Sequence, residues 1–161
     1  MIRLPVIRLF AGPTPDARKV TVMLEETGLQ YEVVRREQAP AIEDDEADLE
    51  LDQAGAILVY LAERSGRFFP VERRLRYRTL RWLLLEEKDG ERLFSALDRR
   101  LREAEYLSGD HYTIADVSAY PWVVRHADYG TSLEGWPALK RWAEALGARP
   151  AVQRGMAALK P

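Results

Sequence analysis

The first third of the chain reads as strand, helix and strand, followed by a connection too short to contain another helix. Residues 7–10 predict a short, largely apolar strand that Ala11-Gly12-Pro13 ends, and residues 31–34 predict a second strand. Between them Thr14-Pro15 predicts a helix start, because the hydroxyl can accept from a free backbone N–H and proline suits the first helical position. A right-handed crossover of this kind makes the two strands parallel neighbours.

Only residues 35–39 separate the second strand from the third. A helical crossover needs about ten residues or more, so the sequence predicts that one helix of this layer is missing. Five extended residues reach about 17 Å, whereas passing over one intervening strand takes about 10 Å. Residues 40–43 and 48–51 then predict a hairpin around the acidic turn 44–47, which completes a four-stranded mixed sheet.

Helices dominate the rest of the chain. Residues 53–64 predict a largely apolar helix, and Phe68-Phe69-Pro70 reads as the link to an all-helical remainder. We therefore predict two domains, residues 1–67 and residues 72–161. In the second domain, apolar periodicity predicts helices over 74–88 and 91–106. A capping box at Thr113 and Asp116 predicts the start of a third helix, and Pro121 predicts either an early kink in it or its end near residue 125. Two more helices are predicted to start at Pro137 and Pro150.

Composition argues against two classes of partner. The chain has 161 residues, and its 24 basic and 26 acidic side chains give a net charge of -2 with no basic patch for nucleic acid. No apolar run approaches the roughly 18 residues of a membrane span, and the first residues lack the pattern of a signal peptide. We therefore expect no nucleic-acid binding, no membrane association and a cytoplasmic location.

The chain contains no cysteine and only two histidines, His111 and His126. It therefore has no thiol nucleophile, no disulfide and no Cys-type zinc site, and we expect no metal site. Any sulfur chemistry must come from a bound molecule.

Six segments stand in order along most of the chain: LFAGPTPDARKV (9–20), QAGAILVYLAE (53–63), RFFP (67–70), YTIAD (112–116), WPALKRW (136–142) and ARPAVQRG (148–155). Together they resemble bacterial glutathione transferases with a Thr-Pro-Asn motif. The resemblance implies an α+β fold, in which a truncated thioredoxin-like layer with a four-stranded mixed sheet precedes an all-α C-terminal domain. It also implies a glutathione site on the first domain and, often, a homodimer.

The resemblance makes Thr14 the candidate catalytic residue. Its hydroxyl can donate to the glutathione sulfur while helix-start N–H groups favour the thiolate. The alternative is a helix cap without a catalytic role. Asp16 stands where the motif has asparagine, and its carboxylate repels a nearby thiolate, so we expect weakened activation. Alternatively, Asp16 only complements the helix dipole.

Further residues are implied to bind the tripeptide. Ala39-Pro40 matches the dipeptide at which a cis proline lets the backbone pair with the cysteinyl residue. Gln53 and the N–H groups after it are expected to hold the γ-glutamyl end, and Ala54 replaces a serine, which removes a contact worth about 1 kcal/mol. Because the second helix is missing, Arg36, beside Arg35, is the candidate partner of the glycyl carboxylate, or alternatively part of a solvated strand end.

These residues predict a glutathione transferase-like protein that binds glutathione as a substrate, uses no cofactor, and conjugates the thiolate to a small electrophile with weak activity. The alternative is a non-catalytic scaffold or dimerisation module with the same fold, either a natural miniature or an engineered shortened form. An oxidoreductase of the glutaredoxin kind is disfavoured, because the chain has no cysteine.

Overall fold

The computed structural model describes residues 6–160, and within them the chain forms four strands and seven α-helices. The strands are β1 (Ile7–Ala11), β2 (Tyr31–Arg35), β3 (Ala41–Asp44) and β4 (Leu49–Asp52). The helices are α1 (Pro15–Thr27), α2 (Ala54–Ser65), α3 (Arg73–Leu83), α4 (Gly90–Glu103), α5 (Ile114–Val123), α6 (Pro137–Gly147) and α7 (Pro150–Ala157). None of the helices in this described part is both long and apolar enough to cross a membrane.

The four strands form one mixed sheet in the order β2-β1-β3-β4. β1 runs parallel to β2 and antiparallel to β3, and β3 runs antiparallel to β4. The predicted four-stranded mixed sheet is therefore confirmed. The missing helix is confirmed as well, because residues 36–40 pass from β2 to β3 without forming one.

One face of the sheet shares a core with two helices. Ile7, Leu9 and Ala11 alternate along β1 as buried residues, and α1 packs against α2. Full burial of a large apolar side chain contributes about 1.5–3 kcal/mol, so this face holds the layer together. Arg8 and Phe10 point to the other face, where they are only half-buried.

Helix α7 belongs by its contacts to the first compact unit, which contains the described residues up to Arg67 and from Ala151 onward. The Thr21 hydroxyl on α1 donates to the Gly155 carbonyl at 2.7 Å. A Cβ added to Gly155 would lie 2.4 Å from the Cα of Val22, so only glycine lets α7 approach α1 this closely. The predicted division into a thioredoxin-like domain, 1–67, and an all-helical domain, 72–161, stays a prediction.

Asp116 organises the second compact unit, residues 68–150. It is fully buried and forms the predicted capping box with Thr113, which is confirmed. Its Oδ1 accepts from the backbone N–H of Leu107 at 3.0 Å and from Nε1 of Trp142 at 2.8 Å. One carboxylate therefore joins the loop after α4 to the start of α5 and to α6.

Helix α3 is shorter than predicted. It ends at Leu83 instead of continuing to residue 88, and residues 84–86 are exposed. Because these residues bury little surface, nothing offsets the entropy lost by ordering them in a helix. Asp89 then starts α4, as its carboxylate accepts from the Arg92 N–H at 2.9 Å.

The ends of α4 and α5 have separate causes. α4 ends at Glu103, slightly before the predicted end, because the chain has to turn for Leu107 to bond Asp116. Pro121 lies in the last turn of α5, which ends at Val123. Of the two outcomes predicted for this proline, the structure therefore shows the helix end.

Candidate functional site

The strand register brings several chain segments to one edge of the sheet. Ala11, at the end of β1, is level with Arg35 at the end of β2. Phe10 pairs with Ala41 at the start of β3, and Ala41 pairs with Asp52 at the end of β4. The turn after β1, the link after β2, the entry to β3 and the start of α2 therefore meet at the same edge.

This edge carries every residue that the sequence predicted for the site. We call it the site edge, and it comprises Thr14, Asp16, Arg36, Ala39, Pro40, Gln53 and Ala54. Both α1 and α2 begin there, and a helix start presents free N–H groups together with the positive end of its dipole. The site edge is therefore suited to receive an anion.

Thr14 caps α1 and keeps a hydrogen that it can donate. The residue is half-buried and extended, and its Oγ1 accepts from the Ala17 N–H at 3.2 Å. Its own N–H donates to the Gly12 carbonyl at 2.8 Å, which holds the turn tight. Since a hydroxyl accepts and donates at the same time, the capping role and the predicted catalytic role are compatible.

Asp16 lies in the first turn of α1 and forms an ion pair with Lys19. Its Oδ1 is 2.9 Å from the lysine Nζ. The predicted repulsion between this carboxylate and a thiolate is therefore partly offset by a positive charge on the same helix.

Gln53 has an unusual backbone at the start of α2. Its φ of 69° and ψ of 112° lie in a region that residues other than glycine rarely adopt, and its exposed side chain makes no capping bond. Such a conformation costs on the order of 1–3 kcal/mol and is concentrated at functional sites. The Gln53 carbonyl still accepts from the Ile57 N–H at 3.0 Å, so the helix begins normally. The N–H groups of its first turn have no acceptor within the helix.

Arg36 and Gly12 approach each other closely at the site edge. The Arg36 N–H donates to the Ala11 carbonyl at 3.1 Å, which extends the parallel ladder by one bond. A Cβ added to Gly12 would lie 3.0 Å from the Arg36 carbonyl oxygen. The backbone of Arg36 is therefore held in place while its side chain is exposed.

The peptide bond before Pro40 is trans, since the part of the chain from residue 6 to residue 160 contains no cis peptide bond. The expectation of a cis Ala39-Pro40, taken from the resemblance, is therefore wrong. Trans is the default before proline, and cis occurs in only about 5% of such bonds. Pro40 is buried and Ala39 is exposed, so both still border the site edge.

The sequence analysis missed a buried carboxylate at the far end of β3. Asp44 was predicted within the exposed acidic turn, but it is the last residue of β3 and is 2% exposed. It accepts from the Tyr60 hydroxyl at 2.7 Å and pairs with Arg64 at 2.8 Å. Burial, together with this hydrogen bond, raises the pKa of Tyr60 to about 12. The residues around Asp44 give no signal of this burial, because both of its partners lie on α2.

No group of three His, Asp or Glu side chains is arranged to hold a metal ion within the described residues. Besides the Asp16 carboxylate, which pairs with Lys19, the site edge offers backbone N–H groups, one hydroxyl, one amide and one guanidinium. These are donors for a small anionic peptide rather than ligands for a cation.

A family model described as "Glutathione S-transferase, C-terminal domain" matches residues 84–150. The disulfide-bond oxidoreductase YfcG of Escherichia coli (strain K12) is 31% identical over 207 aligned positions, which cover 96% of this chain and 95% of the relative. The alignment is longer than this chain, so it contains gaps where this chain is shorter.

Two solved structures are similar over most of this chain. A glutathione transferase family member from Pseudomonas fluorescens pf-5, described with two glutathione bound, has a TM-score of 0.84 and 31% identity and covers 94% of this chain and 92% of its own. A glutathione transferase from Pseudomonas putida, described with one glutathione disulfide bound per subunit, has a TM-score of 0.83 and 28% identity and covers 94% and 91%.

Proposed function

Because the chain belongs to the glutathione S-transferase family, we propose that it binds glutathione at the site edge and adds the glutathione thiolate to a small electrophile. The observation that supports this most is the convergence of two helix starts with the Thr14 hydroxyl and the strained Gln53. The proposal includes a cytoplasmic location, where glutathione is maintained in its reduced form.

The donors of the site edge match the charges of glutathione. The free N–H groups at the start of α2 receive the γ-glutamyl carboxylate, and the exposed Gln53 amide bonds the same end. Arg36 pairs with the glycyl carboxylate. Ala39 and Pro40 border the cysteinyl residue, although the trans peptide changes how the backbone is presented there.

The chemical step requires glutathione as its thiolate, because the thiolate is the nucleophile. The Thr14 hydroxyl donates to the sulfur, and the start of α1 adds positive potential. The thiol proton leaves to solvent, the sulfur forms a bond to the electrophilic carbon, and any leaving group departs with the electron pair of its bond. Lowering the thiol pKa by one unit is worth about 1.4 kcal/mol.

A second candidate function is glutathione-dependent reduction of disulfides. The relative YfcG is named a disulfide-bond oxidoreductase, and the two solved structures are described with two glutathione or with glutathione disulfide. Two glutathione thiols can be oxidised to glutathione disulfide while a substrate disulfide is reduced to two thiols. The balance needs no protein cysteine, so the absence of cysteine argues only against a mechanism that uses a thiol of the chain.

Thermal unfolding in the presence of glutathione tests binding. A ligand at one hundred times its dissociation constant stabilises the folded state by about 2.7 kcal/mol, and we expect a rise in Tm that saturates. Glycine and free glutamate at equal concentration are the controls. No shift up to about 50 mM glutathione eliminates the proposal and leaves the non-catalytic scaffold.

Two activity assays distinguish the two candidate reactions. Conjugation is followed with an aryl halide, and disulfide reduction is followed as glutathione disulfide formed from a small organic disulfide. Turnover of the aryl halide alone supports the transferase, and turnover of the disulfide alone supports the second candidate. Binding without either activity supports the scaffold.

A further inference from the structure

The short link between β2 and β3 leaves one face of the sheet open. The Tyr31 hydroxyl donates to Glu25 of α1 at 2.8 Å, so Tyr31 and its strand partner Ile7 lie on the face that α1 covers. Successive side chains of a strand point to opposite faces, so the even-numbered residues of β1 and β2 lie on the other face. Residues 36–40, where a helix could have crossed that second face, form none. We call it the open face.

The strand register arranges the open face in two rows, each of which crosses β2, β1, β3 and β4. The row nearer the site edge consists of Val34, Phe10, Ala41 and Asp52. The second row consists of Glu32, Arg8, Glu43 and Glu50. The open face therefore has an apolar centre and carries acidic side chains on both outer strands.

The apolar centre remains accessible in the folded chain. Val34 retains 40% of its accessible surface, and Phe10 and Ala41 are half-buried. A depression of about 380 Å³ is lined by Phe10 and Ala41, with Glu50 and Asp52 among the residues of its wall. An accessible apolar surface with a polar rim is typical of a site for another protein.

The carboxylates on the two outer strands are uncompensated. The Arg8 guanidinium between them is already engaged, because it lies 2.7 Å from the Glu43 carboxylate and 2.8 Å from that of Asp45. Glu32 on β2 and Glu50 on β4 are exposed, and neither forms an ion pair within residues 6–160. The open face therefore attracts positive charge on each side of its apolar centre.

The distance between the outer strands matches the width of one helix. β2 and β4 are three strand spacings apart, which corresponds to about 14 Å. An α-helix with its side chains is about 10–12 Å across. A helix that lies over β1 and β3 therefore brings its two flanks beside Glu32 and Glu50.

We propose that the open face binds an amphipathic helix of another protein, whose apolar stripe is flanked on both sides by lysine or arginine. The stripe contacts Phe10, Val34 and Ala41, while the basic flanks pair with Glu32 on one side and Glu50 on the other. Docking of a helix by its apolar face is a common mode of peptide recognition. The proposal uses no residue of the site edge, so helix binding and glutathione binding succeed or fail separately.

Fluorescence anisotropy with three synthetic peptides tests the proposal. The probe is a labelled peptide of about 18 residues, with leucine and alanine on one helix face and lysine on both flanks. A second peptide has glutamate in place of lysine, and a third has the composition of the probe in an order that spreads leucine around the helix. Only the probe is expected to bind the unmodified chain, with an affinity that falls as salt is added.

Charge reversal on the outer strands should change which peptide binds. The double variant Glu32→Lys with Glu50→Lys is expected to bind the lysine peptide at least about tenfold more weakly and to bind the glutamate peptide instead. The gain of binding also shows that this variant folds. Glu144→Lys makes the same change at an exposed position of α6 and should leave both affinities unchanged.

Four results overturn the proposal. The first is no binding of the lysine peptide up to about 1 mM, and the second is equal binding of the third peptide, which would mean attraction by charge alone. The third is a loss of binding in Glu144→Lys as large as that in the double variant. The fourth is peptide binding that weakens as the chain is concentrated, because a second copy of the chain then covers the open face.

A further measurement needs no variant. Val33 and Val34 are neighbours on β2 with similar exposure, 37% and 40%, but they lie on opposite faces of the sheet. The methyl resonances of Val34 and Ala41 are expected to shift when the lysine peptide is added, while those of Val33 stay in place. Shifts at Val33 as large as those at Val34, or no shift at Val34 at saturation, overturn the proposal.

Discussion

The Asp16 carboxylate lies 2.9 Å from the Lys19 ammonium, one turn further along α1. The lysine side chain is 15% exposed and the aspartate side chain is 50% exposed, so the lysine is the more buried of the two. Both lie close to the Thr14 cap. Because opposite charges at this distance offset each other, Lys19 reduces the repulsion that Asp16 exerts on an anion at the start of α1.

Lys19→Met should therefore lower the transferase rate near neutral pH. Two charges about 6 Å apart interact by roughly 3 kcal/mol at an effective dielectric of about 20, before solvent screening. Asp16 is half-exposed, so only part of this is retained, and we expect a decrease of about tenfold from a higher thiol pKa. The ultraviolet absorbance of the thiolate, measured against pH with glutathione bound, reports that pKa directly.

Asp16→Asn is the control for Lys19→Met, because it removes the negative charge that Lys19 offsets. It should raise the rate, and it should restore most of the activity when combined with Lys19→Met. Equal thiol pKa values in all of these proteins would remove both residues from the mechanism, while saturation of glutathione binding shows separately whether the site is intact.

Thr14→Ala should reduce both stability and activity. Loss of the N-cap acceptor for the Ala17 N–H costs about 1 kcal/mol of unfolding free energy. In the proposed mechanism, loss of the hydroxyl also removes the donor to the glutathione sulfur. Thr14→Ser keeps the oxygen and should retain both properties. If Thr14→Ala is destabilised but turns over glutathione at the unmodified rate under folded conditions, the residue is only a cap.

Asp116 should make folding stability depend on pH in a definite direction. Burial raises the pKa of this carboxyl from its ordinary 3.8 to about 6, against the hydrogen bonds it accepts from Leu107, Thr113 and Trp142. The folded state then binds more protons than the unfolded state between these values, so the contribution of Asp116 to stability falls as pH rises from 3.8 to about 6. Above that pH it is constant.

Urea unfolding of the unmodified chain and of Asp116→Asn, measured from pH 4 to pH 7, isolates this contribution. As pH rises over this range, the unfolding free energy of the unmodified chain should fall by up to about 3 kcal/mol relative to that of Asp116→Asn. A shift in the opposite direction would mean that the hydrogen bonds outweigh burial.

Gly155→Ala should destabilise the first compact unit. The added Cβ lies 2.4 Å from the Cα of Val22, so α7 has to move away from α1. Overpacking of this kind typically costs about 1–3 kcal/mol, although alanine in an open helix position is favourable by up to about 1 kcal/mol. Gly55→Ala in α2 is the control, since its Cβ meets no atom within 4 Å. Chemical denaturation of both variants should show a loss only for Gly155→Ala.

Features set by neighbouring residues could be predicted from the sequence. The Thr14 cap, the capping box of Thr113 with Asp116 and the proline starts of α6 and α7 are all present. Each depends on side chains within one helical turn of the backbone groups they satisfy. The missing helix was also predictable, because the number of residues between two strands limits what can lie between them.

Features that depend on distant contacts could not be predicted. Asp44 is buried because Tyr60 and Arg64 reach it from α2, and no local pattern around Asp44 shows this. Helix α3 ends early because residues 84–86, which follow it, are exposed and bury little surface. The trans peptide before Pro40 contradicts an inference carried over from proteins that retain the missing helix, and that inference did not follow from the residues themselves.

Gly155 and Thr21 also set an order of events during synthesis. A nascent chain that has not yet reached residue 150 contains the whole sheet but lacks the helix whose carbonyl accepts from the Thr21 hydroxyl. The sheet unit, although made first, therefore cannot form this contact until α7 has been synthesised, whereas residues 68–150 can close earlier. Synthesis of α7, rather than emergence of the fourth strand, is the step that completes the first compact unit.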